Sequence, residues 1–238
     1  MKWYINNNYG INIYPIFIAI GFLLFLVVNL LRSKNYDIKC FQSIILSFLV
    51  EIISIISAYL MYVIENPNDT SFSFSFYGVV LIMPVIMIAF KPLFKKISLN
   101  NYYNYISITV PLELCIIRIG CFLSGCCYGI PAKWGVAYYD YALNFYRIPV
   151  QLFESVICLI IYCFLQINEK KKWIKINSLF IFIILYGISR FFLEFLRDTP
   201  KIFFETFSMG QMWACVSIMI SLLIINIIRI KKNKNAIS

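Results

Sequence analysis

Histidine is absent from the 238-residue chain, and charged side chains are scarce. Without an imidazole the chain cannot form a Ser–His or Cys–His nucleophile pair, an HExxH motif or any His-ligated metal site. Lys, Arg, Asp and Glu together make up only 13% of the residues, and the acidic ones number 11. Any chemistry must therefore use arginine, glutamate, tyrosine, cysteine, asparagine or glutamine.

Apolar side chains dominate the composition, at 61% of all residues and a mean hydropathy of +0.81. A soluble protein usually has about 45–50%, so we expect an all-α, polytopic membrane protein forming a single domain over residues 1–238. A spanning helix needs roughly 20 apolar residues. Seven segments qualify, the third being short and the fourth interrupted by glycines: 11–31, 43–64, 76–90, 105–124, 149–165, 178–196 and 209–228.

The first segment is expected to be a retained helix rather than a signal peptide. It is long, it lacks a small-residue cleavage site, and its basic residues, Arg32 and Lys34, follow the apolar run instead of preceding it.

The distribution of Lys and Arg also predicts the orientation. If the seven segments cross the membrane in turn, fourteen of the lysines and arginines fall in tracts on one face of the membrane and five on the other face. By the positive-inside rule the N-terminus is outside and the C-terminus is cytoplasmic. The net charge of +10 then reflects topology and attraction to anionic head groups, and nucleic acid is not an expected partner.

Six charged residues lie inside the apolar segments: Glu51, Glu113, Arg118, Glu154, Arg190 and Glu194. Each costs roughly 2.5–3.5 kcal/mol at the middle of a bilayer unless it is paired or solvated. With the N-terminus outside, five segments bring polar residues to the outer leaflet, whereas Glu51 and Glu113 lie deeper. Two arginines at one depth favour an anion, and the anion available in a bilayer is a phospholipid phosphate. A buried ion pair that only fixes helix packing is the alternative, especially for Arg190 and Glu194 at i, i+4.

The densest polar motif, RIGCFLSGCCYG at 118–129, contains three cysteines near the expected outer surface: Cys121, Cys126 and Cys127. Small packing residues, a disulfide and a reactive thiol beside Arg118 all remain open readings. A metal site is disfavoured because only three thiols are close in sequence and no histidine completes the set. No metal and no cofactor are therefore expected.

This motif resembles the signature of the prolipoprotein diacylglyceryl transferase family. Three later motifs occur in the same order and spacing as in that family: IPVQLFE at 148–154, YGISRFFLEFLR at 186–197 and SMGQ at 208–211. The resemblance implies a seven-helix, N-out enzyme of the bacterial cytoplasmic membrane, with its active site toward the outer leaflet. The implied reaction moves diacylglyceryl from phosphatidylglycerol to the lipobox cysteine of a preprolipoprotein.

The resemblance also implies roles for individual residues. Arg118 and Arg190 correspond to the family's two essential arginines, which would hold the phosphate as its C–O bond breaks. Tyr186 and Tyr77 complete the implied catalytic set. The residues implied to bind substrate are Gly120, Cys121, Gly125, Cys126, Gly129, Gln151, Glu154, Glu194, Arg197, Gly210 and Gln211.

The chain departs from the family's pattern at several of these positions. The family's His-Gly appears here as Tyr77-Gly78, its His-Pro appears as Ile148-Pro149, and its Asn and Glu appear as Cys121 and Cys126. A tyrosine hydroxyl, with an ordinary pKa of about 10, is a poor base. Glu154 and the leaving phosphate are the other proton acceptors considered. Two alternative functions stay open: lipid transfer to a different acceptor, and non-catalytic lipid binding or transport.

Overall fold

A computed structural model describes residues 4–5, 13–68, 74–138, 146–203 and 206–237. Helices account for most of these residues. Their bounds are α1 (Tyr14–Arg32), α2 (Cys40–Glu65), α3 (Phe76–Leu81), α4 (Met83–Phe90), α5 (Leu99–Ser107), α6 (Val110–Leu123), α7 (Val150–Lys171), α8 (Ser178–Leu193) and α9 (Met209–Ile237).

Six helical spans among the described residues are long and apolar enough to cross a membrane, and a shorter apolar helix covers Met83–Phe94. The all-α, polytopic class is therefore confirmed. Large apolar side chains such as Leu31 and Leu223 remain exposed on the outside of the bundle. Lipid, rather than water, suits such a surface.

Prolines, and not glycines, interrupt the third and fourth predicted segments. The third is two helices because Pro84, at the start of α4, has no amide hydrogen for the carbonyl of Val80. The fourth begins earlier than expected, at Leu99, and breaks at Ile108–Thr109 just before Pro111. The expectation that glycines break this segment is wrong, since Gly120 lies within the regular part of α6.

Short strands, which the sequence analysis did not predict, connect the helices at one end of the bundle. β1 (Tyr4–Ile5), β2 (Pro131–Ala132), β3 (Val136–Tyr138) and β4 (Tyr146–Arg147) form a sheet in the order β1-β3-β4-β2. β1 runs parallel to β3, and the other pairs are antiparallel. β5 (Lys201–Phe203) pairs with β6 (Phe207–Ser208) between α8 and α9. With two or three residues each, the strands leave the all-α class unchanged.

A buried polar network holds α1 against α7 at the other end of the bundle. The Arg32 guanidinium lies 2.9 Å from Glu169 Oε1 and donates to Thr109 Oγ1 at 3.0 Å and to the Tyr105 carbonyl at 2.9 Å. The Tyr36 hydroxyl also hydrogen-bonds to Glu169. The position of Arg32 after the first apolar run indicates only topology, whereas the folded chain buries it as a structural cation.

Two glycines allow neighbouring helices to approach closely. A Cβ on Gly78 would overlap the carbonyl oxygen of Ser57, so α3 lies directly against the backbone of α2. A Cβ on Gly120 would lie 2.5 Å from Cβ of Phe17, where α6 crosses α1. Both crossings depend on the missing side chain.

Gly78→Ala is expected to destabilise the fold by about 1–3 kcal/mol or more, because the α2 backbone cannot move aside as a flexible side chain would. Thermal unfolding of the purified protein in detergent, followed by tryptophan fluorescence, measures this loss. Gly21→Ala is the matched control, since its Cβ would come no closer than 3.3 Å to its neighbours. Equal losses in the two variants would contradict the backbone-contact argument.

Candidate active site

One carboxylate, that of Glu154, joins three helices at the end of the bundle that carries the strands. Its Oε1 lies 3.0 Å from Nε of Arg118 on α6, and its Oε2 lies 3.0 Å from Nη1 of Arg190 on α8. The Tyr186 hydroxyl donates to Oε1 at 2.9 Å. Both arginines and the carboxylate are buried. The two arginines that the sequence places on separate helices thus share one counter-ion.

Glu194 extends this network toward the surface. Its Oε2 lies 3.1 Å from Nη2 of Arg190, as the i, i+4 spacing predicts, and 3.9 Å from Nη1 of Arg197. The Thr199 hydroxyl donates to Oε1 at 2.9 Å. Within the network three guanidiniums face two carboxylates, so one positive charge is left over. The ion pairs alone do not neutralise the site, and a singly charged anion would complete it.

The Tyr77 hydroxyl is buried near the same arginines. Tyr77 is 4% exposed, and its hydroxyl makes no hydrogen bond of good geometry to any described residue. Arg190, Glu194 and Glu154 are its charged neighbours. A buried hydroxyl that does not donate its hydrogen is costly, so its position suits a donor held for a bound group.

The segment after α6 folds back on itself and gathers three thiols. Gly125 and Cys127 both adopt the left-handed conformation, with φ of 70° and 58°, and a non-glycine residue is uncommon there. The Sγ atoms of Cys121, Cys126 and Cys127 all lie within 4.8 Å of one another. Arg118 Nη1 lies 3.9 Å from Cys121 Sγ. Hydrogen bonds from the thiols of Cys121 and Cys126 hold the pKa of Cys127 well below its usual range.

An open groove of about 810 Å³ begins at this segment. Gln151, buried on α7, donates to the Cys126 carbonyl at 2.6 Å and fixes the near wall. The groove is lined by Gly125, Cys126, Cys127, Tyr128, Arg197, Asp198, Thr199 and Pro200. The groove connects the thiols with the outer arginine of the ion-pair network.

Several residues expected to bind substrate also have structural partners. A Cβ on Gly129 would lie 2.6 Å from the carbonyl oxygens of Ile148 and Leu196. The absence of a side chain at Gly129 therefore lets the backbone of three segments come together at this point. The Gln211 side chain accepts from the Ser208 amide at 2.9 Å and caps the start of α9. Gly210 has no side chain and so leaves room for the Glu194 carboxylate. Gly120 likewise leaves room for the side chain of Phe17. A binding role for these residues stays a prediction.

Three residues close to the site carried no signal in the sequence. Tyr14, at the start of α1, is an electrostatic neighbour of Cys121 and Arg118. Thr199 and Asp198 reach the site only because Gly129 bridges to Arg197, which folds the segment after α8 back toward the cysteines. The side chains of Asp198 and Thr199 lie outside the apolar segments, where polar residues are common. Only the tertiary structure distinguishes them from other polar residues.

Glu51 and Glu113 belong to a different part of the bundle. Their carboxyl groups lie within hydrogen-bonding reach of each other, on α2 and α6. Two carboxyl groups in contact must share a proton. All six charged residues inside the apolar segments therefore have a charged or carboxyl partner, as their cost in a bilayer requires.

The model of one protein family, prolipoprotein diacylglyceryl transferase, matches residues 2–227. The chain belongs to the prolipoprotein diacylglyceryl transferase family. It is 27% identical to a phosphatidylglycerol–prolipoprotein diacylglyceryl transferase of Clostridium tetani, with 98% of this chain and 100% of that one covered. It is 28% identical to a second such transferase of Clostridium perfringens, with 98% of each chain covered.

A third relative matches only part of the chain. The Ehrlichia ruminantium protein of the same name is 28% identical over 58% of this chain and 57% of its own length. Membership of the transferase family confirms the resemblance drawn from the four motifs. Together with the six apolar spans it makes this chain a multi-pass protein of the cell membrane.

Glu154→Gln is expected to destabilise the protein by about 3–5 kcal/mol, because it leaves two buried arginines without their shared counter-ion. Asp198→Asn is the control. It also removes a carboxylate paired with an arginine, Arg147, but Asp198 is 47% exposed and its loss should cost about 1 kcal/mol or less. Thermal unfolding in the same detergent compares the two variants. A loss for Glu154→Gln no larger than for Asp198→Asn would argue against the shared counter-ion.

Proposed function

We propose that this chain transfers the diacylglyceryl group of phosphatidylglycerol to the cysteine thiol of a preprolipoprotein lipobox. The observation that carries the proposal is the pair of buried arginines, Arg118 and Arg190, held on one carboxylate at the positions of the family's motifs. The names of the Clostridium relatives state the same donor and acceptor. Both relatives cover the chain almost completely, which supports carrying the reaction over.

The charge of the site suits the chemistry of this transfer. When the C–O bond to the diacylglyceryl group breaks, the leaving glycerol phosphate gains negative charge. The contacts named above engage two of the three nitrogens of the Arg118 guanidinium and two of the three of Arg190. A phosphate group beside Arg118 and Arg190 would meet the surplus positive charge of the network, in a site that is buried and fixed before the reaction starts.

We place this reaction at the outer leaflet. The site lies at the end of the bundle where α6 and α8 end and where α7 and α9 begin. The tracts at the opposite end carry fourteen of the lysines and arginines, which the positive-inside rule assigns to the cytoplasm. A donor lipid and a translocated lipobox segment would then meet on the same side of the membrane.

The acceptor thiol must also lose a proton, and Glu154 is poorly suited to take it. Both of its oxygens already contact arginines, and one also accepts from Tyr186. Tyr77 is better suited to donate a hydrogen bond to a phosphate oxygen than to act as a base. Arg118 and Arg190 then carry the phosphate, Tyr77 contacts it, and Tyr186 with Glu154 position the arginines.

A direct assay tests the proposal. Protein in detergent is mixed with phosphatidylglycerol and a lipobox peptide, and mass spectrometry follows the peptide. We expect a diacylglyceryl mass gain on the cysteine. Arg118→Lys should lower the rate by about 100-fold or more although the charge is kept, because the planar fork is lost. Arg229→Lys, on an exposed turn of α9, is the control and should react normally. Bound phosphatidylglycerol without any mass gain would favour the lipid-binding alternative.

Tyr77→Phe removes only the buried hydroxyl and keeps the ring. If it donates to the phosphate, its removal should slow the transfer by about 10- to 100-fold, in line with about 1.5–3 kcal/mol for a hydrogen bond to a charged group. Tyr102→Phe, at the remote end, loses only a 3.3 Å hydrogen bond to the Met87 carbonyl and should keep its rate. The same assay reports both. An unchanged rate in Tyr77→Phe would remove Tyr77 from the phosphate site.

A further inference from the structure

Three cysteines, one in the last turn of α6 and two in the segment after it, form a cluster that the phosphate site does not use. Cys121 is buried at the end of α6, Cys126 is half-buried and Cys127 is exposed. The three Sγ atoms come from a stretch of seven residues, and each pair lies within 4.8 Å. With Zn–S bonds of about 2.3 Å, a tetrahedral zinc site needs S···S distances of about 3.8 Å. The thiols therefore need to shift by only about 1 Å to share an ion.

The backbone around the cluster is built to bring the thiols together. Gly125 reverses the chain, and Cys127 accepts the left-handed conformation that side chains rarely adopt. The Cys126 amide donates to the Cys121 carbonyl at 3.1 Å, and Gln151 holds the Cys126 carbonyl from α7. Cys158 and Cys163, on α7, belong to no such cluster among the described residues. Backbone strain of this kind is kept where the local geometry serves a purpose.

We propose that Cys121, Cys126 and Cys127 bind one zinc ion, with the fourth position open to the thiol of the acceptor cysteine. Three protein ligands and one open position are typical of catalytic zinc. Three thiolates and one zinc ion carry a net charge of −1, and the Arg118 guanidinium lies beside this group, with Nη1 3.9 Å from Cys121 Sγ. Cys126 and Cys127 both line the groove, so the open position is within reach of an extended peptide.

This site rests on the proposed transferase function and supplies what that function lacks, which is a way to activate the acceptor thiol without histidine. A thiol that coordinates zinc loses its proton outright, and the proton passes to water in the groove. The zinc-bound sulfur then forms a C–S bond to the diacylglyceryl carbon as the C–O bond to phosphate breaks. The electron pair leaves with glycerol phosphate. The thioether product is neutral and a weaker ligand, so the lipidated peptide is released.

The metal content of the full-length protein is the first test. The chain has no histidine, so a tag without histidine makes any bound zinc attributable to its own side chains. Protein purified in detergent with a reductant, and without air, should contain about one zinc per chain. Cys121→Ser, Cys126→Ser and Cys127→Ser should each lose most of it, while Cys163→Ser, on the far half of α7, should keep it. A zinc-free wild-type protein after incubation with zinc would overturn the proposal.

Cobalt substitution of the wild-type protein then tests the open position without relying on a variant that must fold. Tetrahedral Co²⁺ bound by thiolates absorbs visible light, and a fourth thiolate changes the spectrum. A lipobox peptide with cysteine should shift the absorption, and the same peptide with serine should not. An identical response to both peptides would overturn a role for the metal in binding the acceptor.

The transfer assay separates this proposal from the proposed function. Full transfer by metal-free protein would overturn the zinc site and leave the transferase standing. Bound zinc that contacts the peptide thiol, with no transfer of diacylglyceryl, would support the site and count against the transferase. Transfer that disappears on chelation and returns with zinc would support both.

Discussion

The ion pairs of Glu154 are the interaction on which the site depends. One buried carboxylate holds an arginine from α6 and another from α8, and the hydroxyl of Tyr186 restricts it further. Two cations at this depth would repel each other and cost free energy in a bilayer. With Glu154 between them and Glu194 beside Arg190, the charges of the two arginines are balanced, and Arg197 leaves one positive charge over. A phosphate can then bind without rearrangement of the helices.

The surrounding fold serves this arrangement in two ways. The bundle is held at its far end by a separate network of Arg32, Glu169 and Thr109, so the spacing of α1, α6 and α7 does not depend on the site alone. At the near end, the short strands and the bridge between Gly129 and Arg197 bring the segments after α6 and α8 together. The groove with its thiols therefore lies directly beside the arginines.

Hydrophobicity and spacing predicted much of this from the sequence. Apolar runs located the membrane helices, and the i, i+4 spacing of Arg190 and Glu194 predicted their ion pair. The break before Pro111 follows from the missing amide hydrogen of proline, whereas the sequence-based prediction assigned the interruption to glycine. The role of Glu154 was out of reach, because it depends on three helices meeting. The burial of Arg32 and the approach of Cys126 and Cys127 to Cys121 were also beyond sequence reasoning. They follow from packing at a helix end and from a left-handed turn.

The placement of charges also bears on how the chain enters the membrane during synthesis. Arg118 and its partner Glu154 belong to consecutive spans, so the hairpin of α6 and α7 carries no net charge from this pair. Arg190 has its own partner, Glu194, one turn later on the same chain segment. The hairpin of α6 and α7 and the α8 segment can thus each be inserted with the charge of Arg118 or Arg190 already balanced by a carboxylate. The three-helix contact at Glu154 forms last, when the inserted portions assemble.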